Sequence, residues 1–239
     1  MNKKAFIKNV RNWEADAVAS ALVKEPILAK HVDQIGKTPL HHCAGINPRK
    51  AKLSVRKSIE TARALLAAGA DVNAVRVIID DGEEFQATPL WYALAWGQNP
   101  DLARTLLENG ATPDHNSVRS AIWDQDLKMV ELLQSFGANI DPVIHNETPL
   151  LQIVKSKRLQ LLKWLIDHGA NINFQDHEGY SPLHYAVAKD CNRAQIQELL
   201  RYGAKPALKA KNGDSPISLA RKLRKARLVE LLETARGES

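Results

Sequence analysis

Residues 36–45 read Gly-Lys-Thr-Pro-Leu-His-His-Cys-Ala-Gly and set His41, His42 and Cys43 side by side. Imidazole and thiolate are the commonest zinc ligands and frequent partners in catalytic constellations, so this is the first stretch where the chain could do chemistry. The spacing argues against it. Successive residues on a helix point about 100° apart, and a helical metal pair needs ligands at i and i+4, so three consecutive side chains cannot converge on one ion. The only other cysteine, Cys191, lies far from Cys43 without metal-type spacing, as expected of free thiols in a reducing compartment. His31, His115, His145, His168 and His177 fall mainly at helix ends and hairpins, and their spacing suggests no nucleophile and base. There is no glycine-rich phosphate loop, no G-x-S-x-G, no H-E-x-x-H and no paired-cysteine motif. No catalytic residue, cofactor or metal is expected, and the chain does not read as an enzyme.

The same decapeptide is one copy of something periodic. Gly-Ala recurs after Leu-rich stretches at Gly69, Gly110, Gly137, Gly169 and Gly203, with gaps of 41, 27, 32 and 34 residues. That is a period of about 33 disturbed by one insertion and one deletion. A second signature keeps phase: Thr38-Pro39-Leu40, Thr88-Pro89-Leu90, Thr148-Pro149-Leu150, Ser181-Pro182-Leu183 and Ser215-Pro216-Ile217. Thr or Ser caps a helix N-terminus and Pro suits its first turn, where no N–H needs a partner. The Gly after Leu-Leu-x-x supplies the left-handed residue that ends a second helix. A helix, a turn, a second helix and a polar hairpin back to the next Thr make one unit. No such unit buries its apolar face alone, so neighbours must stack.

"GKTPLHHCA", "ARALLAAGADVNA", "GYSPLHYAV" and "LIDHGANIN" resemble the ankyrin repeat. The resemblance implies an all-α solenoid of stacked helix-turn-helix units joined by β-hairpins, covering most of the chain. It implies one domain over 1–239, with units near 4–35 (a degenerate first repeat), 36–74, 86–114, 115–142, 146–174, 179–207 and 213–236. It also implies structural roles: His41 and His184 bond the capping hydroxyl and the neighbouring hairpin, and Cys43 takes a small buried Ala position. By the same resemblance the ligand is another protein, held on the concave face by hairpin tips and the ends of the first helices.

Composition is compatible with this. The chain is 44% apolar with a formal charge of +6, and no run approaches the ~20 apolar residues of a membrane span. Lys8, Asn9 and Arg11 interrupt the apolar stretch behind Lys3-Lys4, so a secretory signal is not expected. A monomer in the cytoplasm is the expectation. A bacterial or viral effector delivered to act on a host protein would have the same chemistry.

Specific function is sought where the array departs from its own rule. About ten extra residues separate the helices of the second unit, carrying Arg49, Lys50, Lys52, Arg56 and Lys57. The connection from Gly69 to Thr88 is seven residues longer than the usual twelve. Its β-branched Val75, Val77, Ile78 and Ile79, the Asp81-Gly82 turn and Phe85 predict a two-stranded finger with an acidic tip of Asp80, Asp81, Glu83 and Glu84. The finger either packs on its neighbour or is covered by a partner. A deletion around Thr112-Pro113-Asp114 shortens the next connection, and phasing backwards puts Asn116-Ser117-Val118-Arg119 at the helix start. Positions five to eight after each cap are Ala95 and Trp96, Trp123 and Asp124, Lys155 and Ser156, Ala188 and Lys189. With Trp91, Phe85 and Tyr180, the two exposed tryptophans are expected to form an aromatic stripe flanked by Lys155 and Lys189. Tryptophan is the residue type most enriched among binding hot spots. The basic insertion, with Arg221, Lys222, Arg224 and Lys225 near the C-terminus, offers an alternative contact for nucleic acid or an anionic surface.

Overall fold

The computed structural model describes residues 2–80 and 83–237. The chain divides into two compact units, Met1–Ala121 with Lys128–Ala138, and Ile122–Leu127 with Asn139–Ser239.

In the first unit the helix pairs are α1 (Lys3–Arg11) with α2 (Ala15–Lys24), α3 (Pro39–Ala44) with α5 (Val55–Ala67), and α6 (Pro89–Trp91), prolonged by a π-helical turn over Tyr92–Trp96, with α7 (Pro100–Glu108). The short α4 (Pro48–Ala51) is the extra segment between α3 and α5. First helices stack on first helices, α1 on α3 on α6, and second on second, α2 on α5 on α7. Phe6, Val10, Leu40, Cys43, Leu65, Leu90 and Leu106 are wholly buried between them. Helices α8 (His115–Trp123) and α9 (Leu127–Ser135) are divided between the two units. The second unit repeats the scheme with α10 (Pro149–Lys155), α11 (Leu162–Asp167), α12 (Pro182–Ala188), α13 (Arg193–Arg201), α14 (Pro216–Lys222) and α15 (Ala226–Gly237). Among the described residues no helix is long and apolar enough to cross a membrane.

Local chemistry sets the helix boundaries. Thr38, Thr88, Thr148, Ser181 and Ser215 are N-caps, each followed by Pro in the first turn. At the other end, the glycines of the Gly-Ala pairs have φ between 84° and 93°. The following alanine N–H reaches back to a buried leucine carbonyl, as Ala70 does to Leu65 at 3.0 Å.

The histidine of the repeat motif is a strut. Nδ1 of His41 accepts from the Thr38 N–H at 3.2 Å and pairs with the Thr38 hydroxyl at 2.8 Å, while Nε2 meets the Ala87 carbonyl at 3.1 Å. A backbone N–H can only donate and a carbonyl only accept, so the ring is the neutral Nε2–H tautomer. His184 does the same with Ser181 and the Asp214 carbonyl. Its neighbours in the opening decapeptide face elsewhere. Nε2 of His42 bonds Asp33 at 2.8 Å, and the buried Cys43 thiol points to the Ser58 carbonyl at 3.6 Å. Burial pushes the Cys43 thiol up to about 12, which leaves it unreactive.

Asparagine supplies a second clasp. Asn73 donates to the Gly110 carbonyl (3.0 Å) and accepts from the Thr112 N–H (2.8 Å), and Asn173 treats Gly203 and Lys205 alike, both at 2.9 Å. Asp141 occupies the same place after Gly137-Ala138. It accepts from the Asn171 N–H at 3.3 Å but has no N–H to give, and its Oδ1 is buried without a partner among the described residues. Burial raises its carboxyl pKa.

The finger exists as β1 (Arg76–Asp80) paired antiparallel with β2 (Glu83–Ala87), Ile78 opposite Phe85. Its two faces divide the alternatives left open by the sequence. Arg76, Ile78, Phe85 and Ala87 share the inward face, while Val77 and Ile79 on the other are 53% and 72% exposed. The Asp81-Gly82 turn and the side chains of Asp80 and Glu83 lie outside the described residues. Glu84 is exposed.

One boundary corrects the sequence phasing. Helix α8 starts at His115, and Asp114 is its cap, accepting from the Ser117 N–H at 2.8 Å and from the Thr88 hydroxyl at 2.9 Å. The expected start at Asn116 was two residues late, because counting back from the next Gly-Ala ignores a carboxylate that caps as well as a hydroxyl.

Two predictions follow from these struts. His41 is pushed down to about 4 by burial, against an ordinary value of 6.5, and His184 and His42 are also lowered mainly by burial. The unfolded chain therefore takes up protons first, so stability is complete above about pH 6.5 and is lost as pH falls towards 4. Urea midpoints should drop between pH 7 and 5, where most carboxylates remain ionised, with His41 alone contributing about 2 kcal/mol; a flat profile there contradicts the neutral struts. Asp141→Asn should restore the donor of the clasp and raise stability by roughly 1 kcal/mol in the same assay. A loss would show that the carboxylate is preferred.

Candidate functional site

Trp96 is the most prominent exposed ring of the first unit, 49% accessible at the end of the π-helical turn. That turn follows from a close approach. A methyl group on Gly97 would come within 2.3 Å of the Ala44 carbonyl oxygen and 2.9 Å of that of Ala93, so only glycine lets the chain pass there. The Gly97 N–H bonds the Tyr92 carbonyl, five residues back, at 2.8 Å. The extra residue re-aims the side chains that follow, as π-turns do.

Four rings then interlock. Trp91 meets Phe85 at 4.7 Å between centroids, Tyr92 at 5.2 Å and Trp96 at 5.7 Å, and Tyr92 meets Trp96 edge-on at 4.9 Å. Tyr92 is fully buried, and its hydroxyl accepts from Arg76, whose Nε also donates to the Ile35 carbonyl at 2.9 Å. The Lys37 ammonium stands 4.8 Å from the Tyr92 ring centre and 5.0 Å from that of Trp96. Burial depresses its pKa and repulsion from Arg76 and Arg11 adds to this, against the attraction of Asp33. Trp96 is thus an exposed ring on a fixed, locally cationic mount. Sequence reading singled out Phe85, Trp91 and Trp96 but missed Tyr92, Lys37 and Arg76. Arg76 was legible in principle, since it alternates with Ile78 and must share its face.

In the second unit Trp123 is 49% exposed, and the Arg158 guanidinium lies 4.3 Å over its ring while Nη1 donates to the Trp123 carbonyl at 2.7 Å. Asp124 beside it is exposed. Lys155, expected as a free flank, is instead engaged. It bridges Glu147 (2.5 Å) and Asp176 (3.7 Å) and lies 4.3 Å over the Tyr185 ring. The Tyr185 hydroxyl donates to Asp176 at 2.6 Å, and that nearly buried carboxylate also accepts the Glu178 and Tyr180 N–H groups. Ser156 bonds back to the Gln152 carbonyl at 2.8 Å. Tyr180 packs edge-on to His184 at 5.3 Å and accepts from Asn212 at 2.8 Å. Lys189 is exposed. The rings expected to form one stripe therefore belong to distinct clusters: Phe85, Trp91 and Trp96 with Tyr92, Trp123 with Arg158, and Tyr180 with His184 and Tyr185.

The basic residues also differ among themselves. Arg49, Lys50, Lys52 and Lys57 are exposed, and Arg56 pairs with Glu60 at 2.8 Å. Near the C-terminus Arg221 pairs with Glu233, Lys222 with Asp214 and Lys225 with Asp190, which leaves Arg224 exposed.

The sequence matches the family model for ankyrin repeats in three copies over residues 119–210, and that for a single ankyrin repeat over residues 35–76. It is 45% identical over 73 residues to the 2-5A-dependent ribonuclease of Homo sapiens, a match covering 30% of this chain and 10% of that protein. To the B-cell lymphoma 3 protein homolog of Mus musculus it is 32% identical over 117 residues, covering 48% of this chain and 25% of that one. The chain thus spans a quarter or less of these two relatives. Among solved structures it is similar to the ankyrin repeat domain of Bcl-3, described as a unique member of the IkappaB protein family. The TM-score is 0.72 at 25% identity, over 95% of this chain and 97% of that one. Repeat motif, helix-pair stacking, family models and structural likeness agree, and the chain belongs to the ankyrin-repeat family.

Proposed function

We propose that the chain is a non-enzymatic interaction module that grips a partner protein on the face made by the first helix of each pair and the hairpins between pairs. Ankyrin repeats are in general protein–protein interaction modules. The observation that carries the finer reading is Trp96, half exposed while its ring is held by Trp91, Tyr92 and Lys37. A large apolar ring already fixed in place loses little conformational freedom on binding, which is what makes an anchor effective. Trp123, with Asp124 beside it, provides a second contact in the other unit. Tyr180, Lys155 and Ser156 serve by holding hairpins and helix ends in position. The exposed outer face of the finger, Val77 and Ile79, extends the apolar surface of the first unit. On this reading the module works as a monomer in the cytoplasm, on a partner of its own cell or, if delivered, of a host.

The chemistry-bearing side chains support this reading. His41, His184 and Cys43 are buried in structural bonds, and three of the four C-terminal cations are already paired with carboxylates, which weakens the case for a nucleic-acid surface. The test uses the purified protein as bait in a lysate of its source, beside Trp96→Ala and Trp123→Ala made singly and shown by circular dichroism to fold. Retained protein is identified and its affinity measured directly. Trp96→Ala should weaken binding by about 2–4 kcal/mol, the scale of a central aromatic anchor, with little change between two salt concentrations. Equal affinity for wild type and both variants would sink the reading, as would retention only of nucleic acid released by salt.

A further inference from the structure

The first unit holds a second concave feature, a groove of about 930 Å³ distinct from the Trp96 mount. One wall is α1, whose Lys3, Lys4, Lys8 and Arg11 line the groove while Phe6 and Val10 face the core. The helix carries those four cations and no acid. Among the described residues none of the four has an ion pair. The opposite side is the loop with Val32 and Ile35, which are 55% and 57% exposed. Ile7, Ile46 and Leu53 supply further aliphatic lining. Leu53 and Ala51 come from the ten-residue insertion, so the departure from the repeat that looked like a basic loop builds part of this groove. The groove has one carboxylate, Asp33, and it is already engaged. It accepts from the Ile35 N–H, the Lys37 N–H and His42, and these bonds hold it ionised against the opposing effect of burial.

We infer that this groove receives an acidic segment of a partner protein that carries aliphatic side chains. Unpaired cations on one wall call for carboxylates, and the aliphatic lining calls for Leu, Ile or Val between them. The lining contains no aromatic ring, which single-stranded nucleic acid needs for stacking, and a concave groove cannot lie against a flat anionic bilayer. Arg11 and Lys37 feel each other's charge, so the groove's electrostatic field reaches the mount of Trp96. The inference rests on the protein-binding reading and adds the composition of the bound segment.

The test is selection of a random peptide library displayed on phage against the intact protein, followed by affinity measurements on the enriched peptides. Each peptide is measured on wild type, on Lys4→Glu/Lys8→Glu and on Trp96→Ala. All three proteins are first checked for native circular dichroism and the same urea midpoint. A single Lys8→Gln variant serves if the double reversal fails to fold. The expected result is a set enriched in Asp and Glu interleaved with aliphatic residues. Binding should weaken about tenfold or more on the charge-reversed variant, as for two exposed attractions turned into repulsions, and to a lesser degree on Lys8→Gln. Neutralising the acids, or replacing the aliphatics by Ser, should each abolish it. Three outcomes overturn the inference: no acidic bias among the enriched peptides, binding unchanged by the Lys4 and Lys8 substitutions, or oligothymidylate of equal charge competing as well as the peptide. Peptides lost only on Trp96→Ala would leave the protein-binding reading standing while this inference falls. Peptides lost on neither variant would count against both.

Discussion

The hydrogen bond from a buried neutral imidazole to the carbonyl of the next connection is the interaction on which the stacked units depend. Each helix pair exposes backbone groups at the cap of its first helix and at the following connection, and stacking removes both from water. His41 spans that gap, receiving the Thr38 N–H on one nitrogen and giving its own proton to Ala87 on the other. His184 spans it between Ser181 and Asp214. A charged ring could not accept at Nδ1, so the strut exists only while the imidazole stays neutral. The Asn73 and Asn173 clasps join neighbouring turns in the same way, with a side chain that both gives and accepts.

Those struts fix the hairpins, and the hairpins in turn shape the surface. Ala87, which receives the His41 bond, ends β2 and leads into the Thr88 cap of α6, so strand, cap and aromatic mount are tied to one buried point. The inward face of the finger then presents Phe85 to Trp91 and Arg76 to Tyr92. Trp96 can stay exposed without being loose because every ring beneath it has a partner. Rigid support beneath an exposed aromatic separates a binding anchor from a stray surface residue.

Several features of the candidate surface were readable in residue types, and others were not. β-Branched residues on either side of Asp81-Gly82 announced the strands, and alternation divides their faces. Trp96 and Trp123 were found by counting from the caps, because a helix of fixed pitch carries its register forward. Counting failed wherever the backbone changed its pitch or its cap. Asp114 starts α8 two residues ahead of the expected place, and the π-turn forced at Gly97 inserts a residue that no periodicity reveals. Lys155 looked like a free cation because Glu147 and Asp176, which hold it, are remote in sequence or in a different loop.

The sequence by itself determined what is local: where helices start and stop, the repeat of about 33 residues, the stacked-pair fold, and the structural role of the Thr-Pro-Leu-His motif. These follow from hydrogen-bond partners within a few residues of each other, and capping chemistry specifies them without reference to the rest of the chain. Tertiary structure alone decided which polar and aromatic groups were left over for a partner. Lys37 over Trp96, Arg158 over Trp123, and the insertion closing a groove against the cationic face of α1 each join residues more than thirty positions apart, a pairing that only packing creates. Whether a charge is spent inside the fold or remains available on the surface depends on distance in space, and local residue patterns do not encode that distance.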